Sequence, residues 1–128
     1  MLATTGTETR LMERRRSRRL TLSIPIIIES LEPTVFFSGR CNSMDVSFHG
    51  CQFYLSSPFK LGARLRLEIV NPRHTISIRA LVVEVQEHLL PSLTAWPERN
   101  IRLWKIGVEL THPGNVWGVE SPPDDWRF

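Results

Sequence analysis

Two clusters of this 128-residue chain carry the residue types that do chemistry. One is a run of arginines, Arg14-Arg15-Arg16-Ser17-Arg18-Arg19; the other is Asp45-Val46-Ser47-Phe48-His49-Gly50, about 25 residues further on. Asp45, Ser47 and His49 recur at a spacing of two and are the residue types of a hydrolytic triad. In an extended chain, residues two apart lie roughly 6.6 Å from one another, too far for a base to activate a nucleophile through a hydrogen bond. No G-x-S-x-G elbow is present either. His49, His74, His88 and His112 are scattered without ligand spacing, so no metal centre is expected. Cys41 and Cys51 flank the second cluster without a C-x-x-C pair and read as small core residues.

Recognition remains. An Asp and a Ser two apart, just past a strand end, each offer side-chain oxygens to one ligand, and Gly50 permits φ > 0 or a close backbone approach. Asp, Ser and Gly are also the ordinary residues of a turn, so this cluster alone does not separate a ligand site from a connection. Arg15 and Arg19 are four apart, and Arg14 and Arg18 repeat the spacing. An arginine fork grips a phosphate, or the O6 and N7 edge of guanine, bidentately. The plainer alternative is a solvated basic arm that binds polyanions without specificity.

The charge is distributed in favour of an arm. Residues 1–19 hold six arginines against two glutamates, a local +4, and since the whole chain carries +3, residues 20–128 sum to −1. A near-neutral body with a basic arm points to an anionic partner. The length suits one domain with one core. The hydrophobic share of 41% is neither membrane-like nor disordered. No apolar run approaches the ~18 residues of a membrane span. With no apolar h-region near the start and only two cysteines, a reducing cytoplasm is the expected location.

The elements that must position these clusters are strands. Residues 1–12 lack periodicity and are expected to be a loose, disordered leader. In residues 20–28, Leu20, Leu22, Ile24, Ile26 and Ile28 share one face; Pro25, without an N–H, implies a sheet edge or a bulge. A second strand is expected from Val35 to Met44 and a third from Cys51 to Ser56. Residues 63–70 alternate most clearly, with Ala63, Leu65, Leu67 and Ile69 inward. Thr75 to Gln86 begins with Ile76, Ile78 and Ala80 inward and then shifts phase to Leu81, Val83 and Val85, which implies a bulge near 80–82. A long loop over 87–100 and a strand from Leu103 to Thr111 follow. The tail, 112–128, has room for a helical turn or two, with Trp117 and Trp126 packed on the barrel. Six short strands without a helical pattern predict an all-β barrel or sandwich.

An R-x-x-x-R arm followed by D-x-S-x-x-G after the second strand of an all-β chain resembles the PilZ domain family. Arg19-Leu20-Thr21-Leu22 is similar to that family's first strand, and Ile106-Gly107-Val108-Glu109-Leu110 to its closing strand, so the resemblance spans roughly residues 13–111. It implies a six-stranded antiparallel split barrel that binds the bacterial second messenger cyclic di-GMP: a receptor or effector module, not an enzyme, with no cofactor. By the same resemblance Arg15 and Arg19 contact guanine edges and phosphates, while Asp45, Ser47 and Gly50 line the other side of the ligand. A basic residue at Arg14 accompanies two intercalated ligands and dimerisation in relatives, so a ligand-linked homodimer is a further expectation, as is an unidentified downstream protein partner. Phe48 and His49 depart from the small residues common there, and the prolines of the tail argue against the family's C-terminal helix. Two rival functions stand beside this one. A PilZ-like interaction domain would keep the fold without binding nucleotide, but the arginines are present here. A basic-arm nucleic-acid binder would show positive charge across the whole fold, which the near-neutral body lacks.

Overall fold

The structure, a computed structural model, describes residues 17–92 and 99–126. Its six strands are β1 (Pro25–Ser30), β2 (Ser38–Val46), β3 (Gly50–Leu55), β4 (Arg64–Val70), β5 (Thr75–Ser92) and β6 (Arg99–Leu110). They close into a barrel in the order β1-β2-β3-β6-β5-β4, every neighbouring pair antiparallel. No described residue is helical.

Strict alternation drives the closure. Leu65, Leu67 and Ile69 of β4 are fully buried, as are Ile26 and Ile28 of β1, Phe53 of β3 and Ile106 of β6. Each such side chain taken from water contributes about 1.5–3 kcal/mol. The residues between them face outward; across the β1–β4 seam Arg66 pairs with Glu29 at 2.7 Å, and on its other side it donates to Ser77 of β5. Arg64 holds Glu32 next to the same seam, and its guanidinium keeps the Glu32 carboxyl below the usual range. Exposed pairs of this kind add little stability; burial closes the barrel.

The strands depart from the sequence expectation most at the starts of β1 and β2, in the β5 bulge and over residues 87–100. β1 begins at Pro25, not Leu20. Residues 20–24 instead run beside β2, where Ser43 N donates to the Ile24 carbonyl and the Ser43 hydroxyl is shared between Ile24 N and the Leu22 carbonyl. Leu20, Leu22 and Ile24 still pack against the core. Pro25 therefore lies on no sheet edge; it is the first residue of a strand, where a missing N–H is tolerated. β2 begins at Ser38, because Val35 and Phe36 belong to an exposed connection, Phe36 at 95% exposure.

The bulge in β5 lies later than expected. Ala80 and Val82 are both 1% exposed while Leu81 and Val83 face outward, and the register slips between Val82 and Glu84. Three apolar residues in a row hid the phase; Val83 is the extra one, and Val85 returns to the core. Finally, most of 87–100 is not a loop. β5 and β6 continue as a two-stranded ribbon, paired from Glu87↔Trp104 to Ser92↔Arg99, beyond the last β4 partner at Leu81. Among the described residues no third strand pairs with that ribbon beyond Trp104, and an unpaired strand edge is where a proline such as Pro91 is accepted. Residues 93–98 lie outside the described part.

The tail, residues 111–126, folds back in turns and buries Trp117 and Trp126, 2% and 6% exposed, against the core.

Candidate functional site

Only three residues, 47–49, join β2 to β3, and the Ser and Gly of the motif make that connection possible. Ser47 N donates to the Gly50 carbonyl at 2.8 Å. The Ser47 hydroxyl accepts from the amides of His49 and Gly50 at 3.3 and 3.2 Å, an ST-type turn. Gly50 is fixed by its neighbour: a Cβ there would stand 2.0 Å from the Val108 carbonyl oxygen of β6. Its role is close approach. Phe48 turns inward, 5% exposed.

Two of the connection's three carbonyls are held by the C-terminal segment and the third by the last residue of β6. Trp117 Nε1 donates to Ser47 O at 2.7 Å, Gly114 N to Phe48 O at 2.9 Å and Leu110 N to His49 O at 2.7 Å. The tail thus sets the turn from behind. Trp117 was legible as a packed tryptophan; its hold on Ser47 was not.

Asp45 precedes the turn, half-buried, just after an irregular step in the β2–β3 ladder, and stands opposite Gln52. The register continues across the outer face of the barrel from Gln52 to Gly107 and on to Glu84. Glu84 lies where Gly107 has no side chain, its Oε1 3.0 Å from the position a Cβ would take. Gln52 Nε2 donates to Glu84 Oε1 at 2.8 Å, and Lys105 Nζ sits 3.6 Å from Glu84 Oε2. This row floors the surface beside Asp45. A glycine inside an apolar strand was its one sequence signal.

The arm comes to the turn. Leu20 and Val46 exchange two backbone hydrogen bonds, 2.8 and 2.9 Å, which places Arg19 opposite Ser47 in the register. Ser17, 4% exposed, brings its hydroxyl 3.1 Å from His49 Nδ1. Arg18 is held from the other side, by its N–H to Asp125 Oδ2 at 2.8 Å and by its carbonyl from Trp126 Nε1 at 2.7 Å. The Arg19 side chain is half-buried and makes no ion pair among the described residues. Arg14 and Arg15, the other expected ligand contacts, lie outside the described residues. Ser17 and His49 lay within the two sequence clusters without an assigned contact, and Asp125 and Trp126 lay outside them. Nothing in their spacing indicates that they meet.

Burial raises the Cys41 thiol from 9.0 to about 11 and holds the Cys51 thiol well above its ordinary value. Both are free and neutral near pH 7, which suits packing and not nucleophilic chemistry. Among the described residues no three His, Cys, Asp or Glu side chains gather where a metal ion could be held, and no helix is long and apolar enough to cross a membrane.

Several known structures share this barrel. One is the PilZ domain with c-di-GMP of YcgR from Escherichia coli, at a TM-score of 0.58 and 15% identity over 77% of this chain and 78% of that one. A second is MrkH, described as a c-di-GMP-dependent transcription regulatory factor, at 0.56 and 17% over 77% and 44%. The Bacillus subtilis inhibitor of motility, MotI/DgrA, matches at 0.50 and 23% over 80% and 44%. At these identities the likeness is one of fold, and the chain spans less than half the length of the latter two. No match was found among the curated proteins. The PilZ domain model itself matches residues 13–114, which includes both the arginine arm and the Asp45–Gly50 turn. This chain belongs to the PilZ domain family.

Proposed function

We propose that this domain is a receptor for cyclic di-GMP, bound between the arginine arm and the outer barrel surface next to Asp45. The observation that carries it is the Leu20–Val46 bridge, which brings the end of the arm onto the Asp45–Gly50 turn and sets Arg19 beside it. Cyclic di-GMP is a dianion with two guanine faces. Arginine suits both parts, through charge and a planar fork that bonds the guanine edge and stacks on the ring. Arg15 and Arg19 supply these contacts, with Arg14 beside them. Asp45 offers a carboxylate to the donor edge of a guanine, while Ser47 and Gly50 keep the turn narrow enough for the ligand to lie against it.

No bond is made or broken. Binding orders the arm on the barrel and so alters a surface for a partner protein to read; Arg14 favours a second intercalated ligand and a ligand-linked dimer. The PilZ domain of YcgR, which shares this fold and whose structure is one with c-di-GMP, supports the choice of ligand. A ligand that binds only the folded state raises Tm as its concentration rises. The thermal midpoint should therefore climb with added cyclic di-GMP and stay fixed with GMP; equal midpoints in both would reject the proposal.

A further inference from the structure

We infer that the C-terminal tail is a clasp for the arginine arm, with Asp125 and Trp126 as positioning residues that set Arg19 against the turn. The inference rests on the proposed site and concerns how that site is held ready.

Both backbone groups of one arm residue are taken by two consecutive tail residues. Arg18 N–H donates to Asp125 Oδ2 at 2.8 Å, and Trp126 Nε1 donates to Arg18 O at 2.7 Å, across 107 and 108 positions of sequence. The chain before and after Arg18 is held by the barrel and its β2–β3 turn: Ser17 by His49, and Leu20, two residues on, by Val46. Arg18 itself is exposed and gains its backbone partners from the tail. Without them its peptide groups return to water and the step before Arg19 is free to turn.

The tail is itself well anchored. Trp126 is 6% exposed, and its own N–H donates to Pro123 O at 3.0 Å. Upstream, Asn71 Nδ2 donates to Val116 O, and Trp117 and Gly114 hold the carbonyls of Ser47 and Phe48. One segment therefore grips both halves of the site, the turn through residues 114–117 and the arm through residues 125–126. Proline at 122 and 123 limits the freedom of the backbone leading into the second grip. An arm fixed one residue before Arg19 has less entropy to lose when ligand arrives, so the clasp raises affinity without touching the ligand.

The test compares the intact chain with Asp125→Ala, Asp125→Asn and Trp126→Phe. Phenylalanine keeps the buried ring and removes the donor; asparagine keeps an acceptor and removes the charge. Two readouts are taken: amide hydrogen exchange in ligand-free protein, and the Kd for cyclic di-GMP. The clasp predicts faster exchange at Arg18 and Leu20 in Asp125→Ala and Trp126→Phe, unchanged protection at Leu67 and Ile106, and roughly three- to tenfold weaker binding, the scale of one lost hydrogen bond. Asp125→Asn should restore both readouts. Unchanged arm exchange, or unchanged or tighter binding in the alanine and phenylalanine variants, overturns the inference. If the intact chain takes up no cyclic di-GMP, the reading of the site fails, and the exchange data alone decide the clasp.

Discussion

Leu20 and Val46 lie 26 positions apart and exchange a pair of backbone hydrogen bonds, 2.8 and 2.9 Å long. That bridge brings two separate motifs onto one surface: in this antiparallel pairing Arg19 stands opposite Ser47, two residues from Asp45. If the Arg19 and Asp45 side chains grip the ligand, each should be needed. Replacing Arg19 or Asp45 with alanine should weaken cyclic di-GMP binding roughly fivefold or more, about 1–3 kcal/mol, with little change in Tm. Fluorescence titration with a labelled nucleotide, alongside thermal unfolding, checks both halves of the expectation.

Gly50 should behave oppositely, as a residue of the fold. A methyl group there would stand 2.0 Å from the Val108 carbonyl, so β3 and β6 must part to admit it. Gly50→Ala is expected to cost about 3 kcal/mol or more in urea-induced unfolding. A fully stable variant would mean that the two strands are not in this register.

Trp117 supports the turn from behind. Trp117→Phe keeps most of the buried ring but leaves the Ser47 carbonyl without its 2.7 Å donor. Stability should fall by about 1–3 kcal/mol, the cost of stranding a buried acceptor, and the amides of His49 and Gly50 should exchange faster.

The two thiols predict a loss of stability at alkaline pH. Burial raises Cys41 from 9.0 to about 11 in the folded chain and raises Cys51 as well. The unfolded chain therefore gives up these protons first. The associated stability is complete below about pH 9 and is lost as pH rises through 11. Tm should be flat between neutral pH and the lower bound of that window and then decline. A Cys41→Ala, Cys51→Ala chain should decline less, which separates the thiols from lysine and tyrosine titration. Reaction of the native protein with Ellman's reagent should be slow.

The barrel was legible because its strands alternate. Leu65, Leu67 and Ile69 announce their face by spacing alone, and all three are fully buried. The signal failed where an apolar run erased the alternation, at Leu81-Val82-Val83, and where two strands leave the barrel and pair only with each other, beyond Glu87. Of the site, the residue types of the turn were readable, since Ser47 and Gly50 follow the local rules of a tight connection. Its enclosure was not. Ser17 meets His49 across 32 positions and Trp126 meets Arg18 across 108, in segments with no periodicity to mark them. Contacts of this kind follow only once the barrel has fixed where the arm and the tail lie.

Calorimetric titration of the intact chain with cyclic di-GMP tests the receptor directly. The expected result is a Kd in the micromolar range or tighter, weakening as salt screens the arginines, with a stoichiometry of one or two ligands per chain. No heat of binding at low salt, from protein whose barrel is folded, would contradict it.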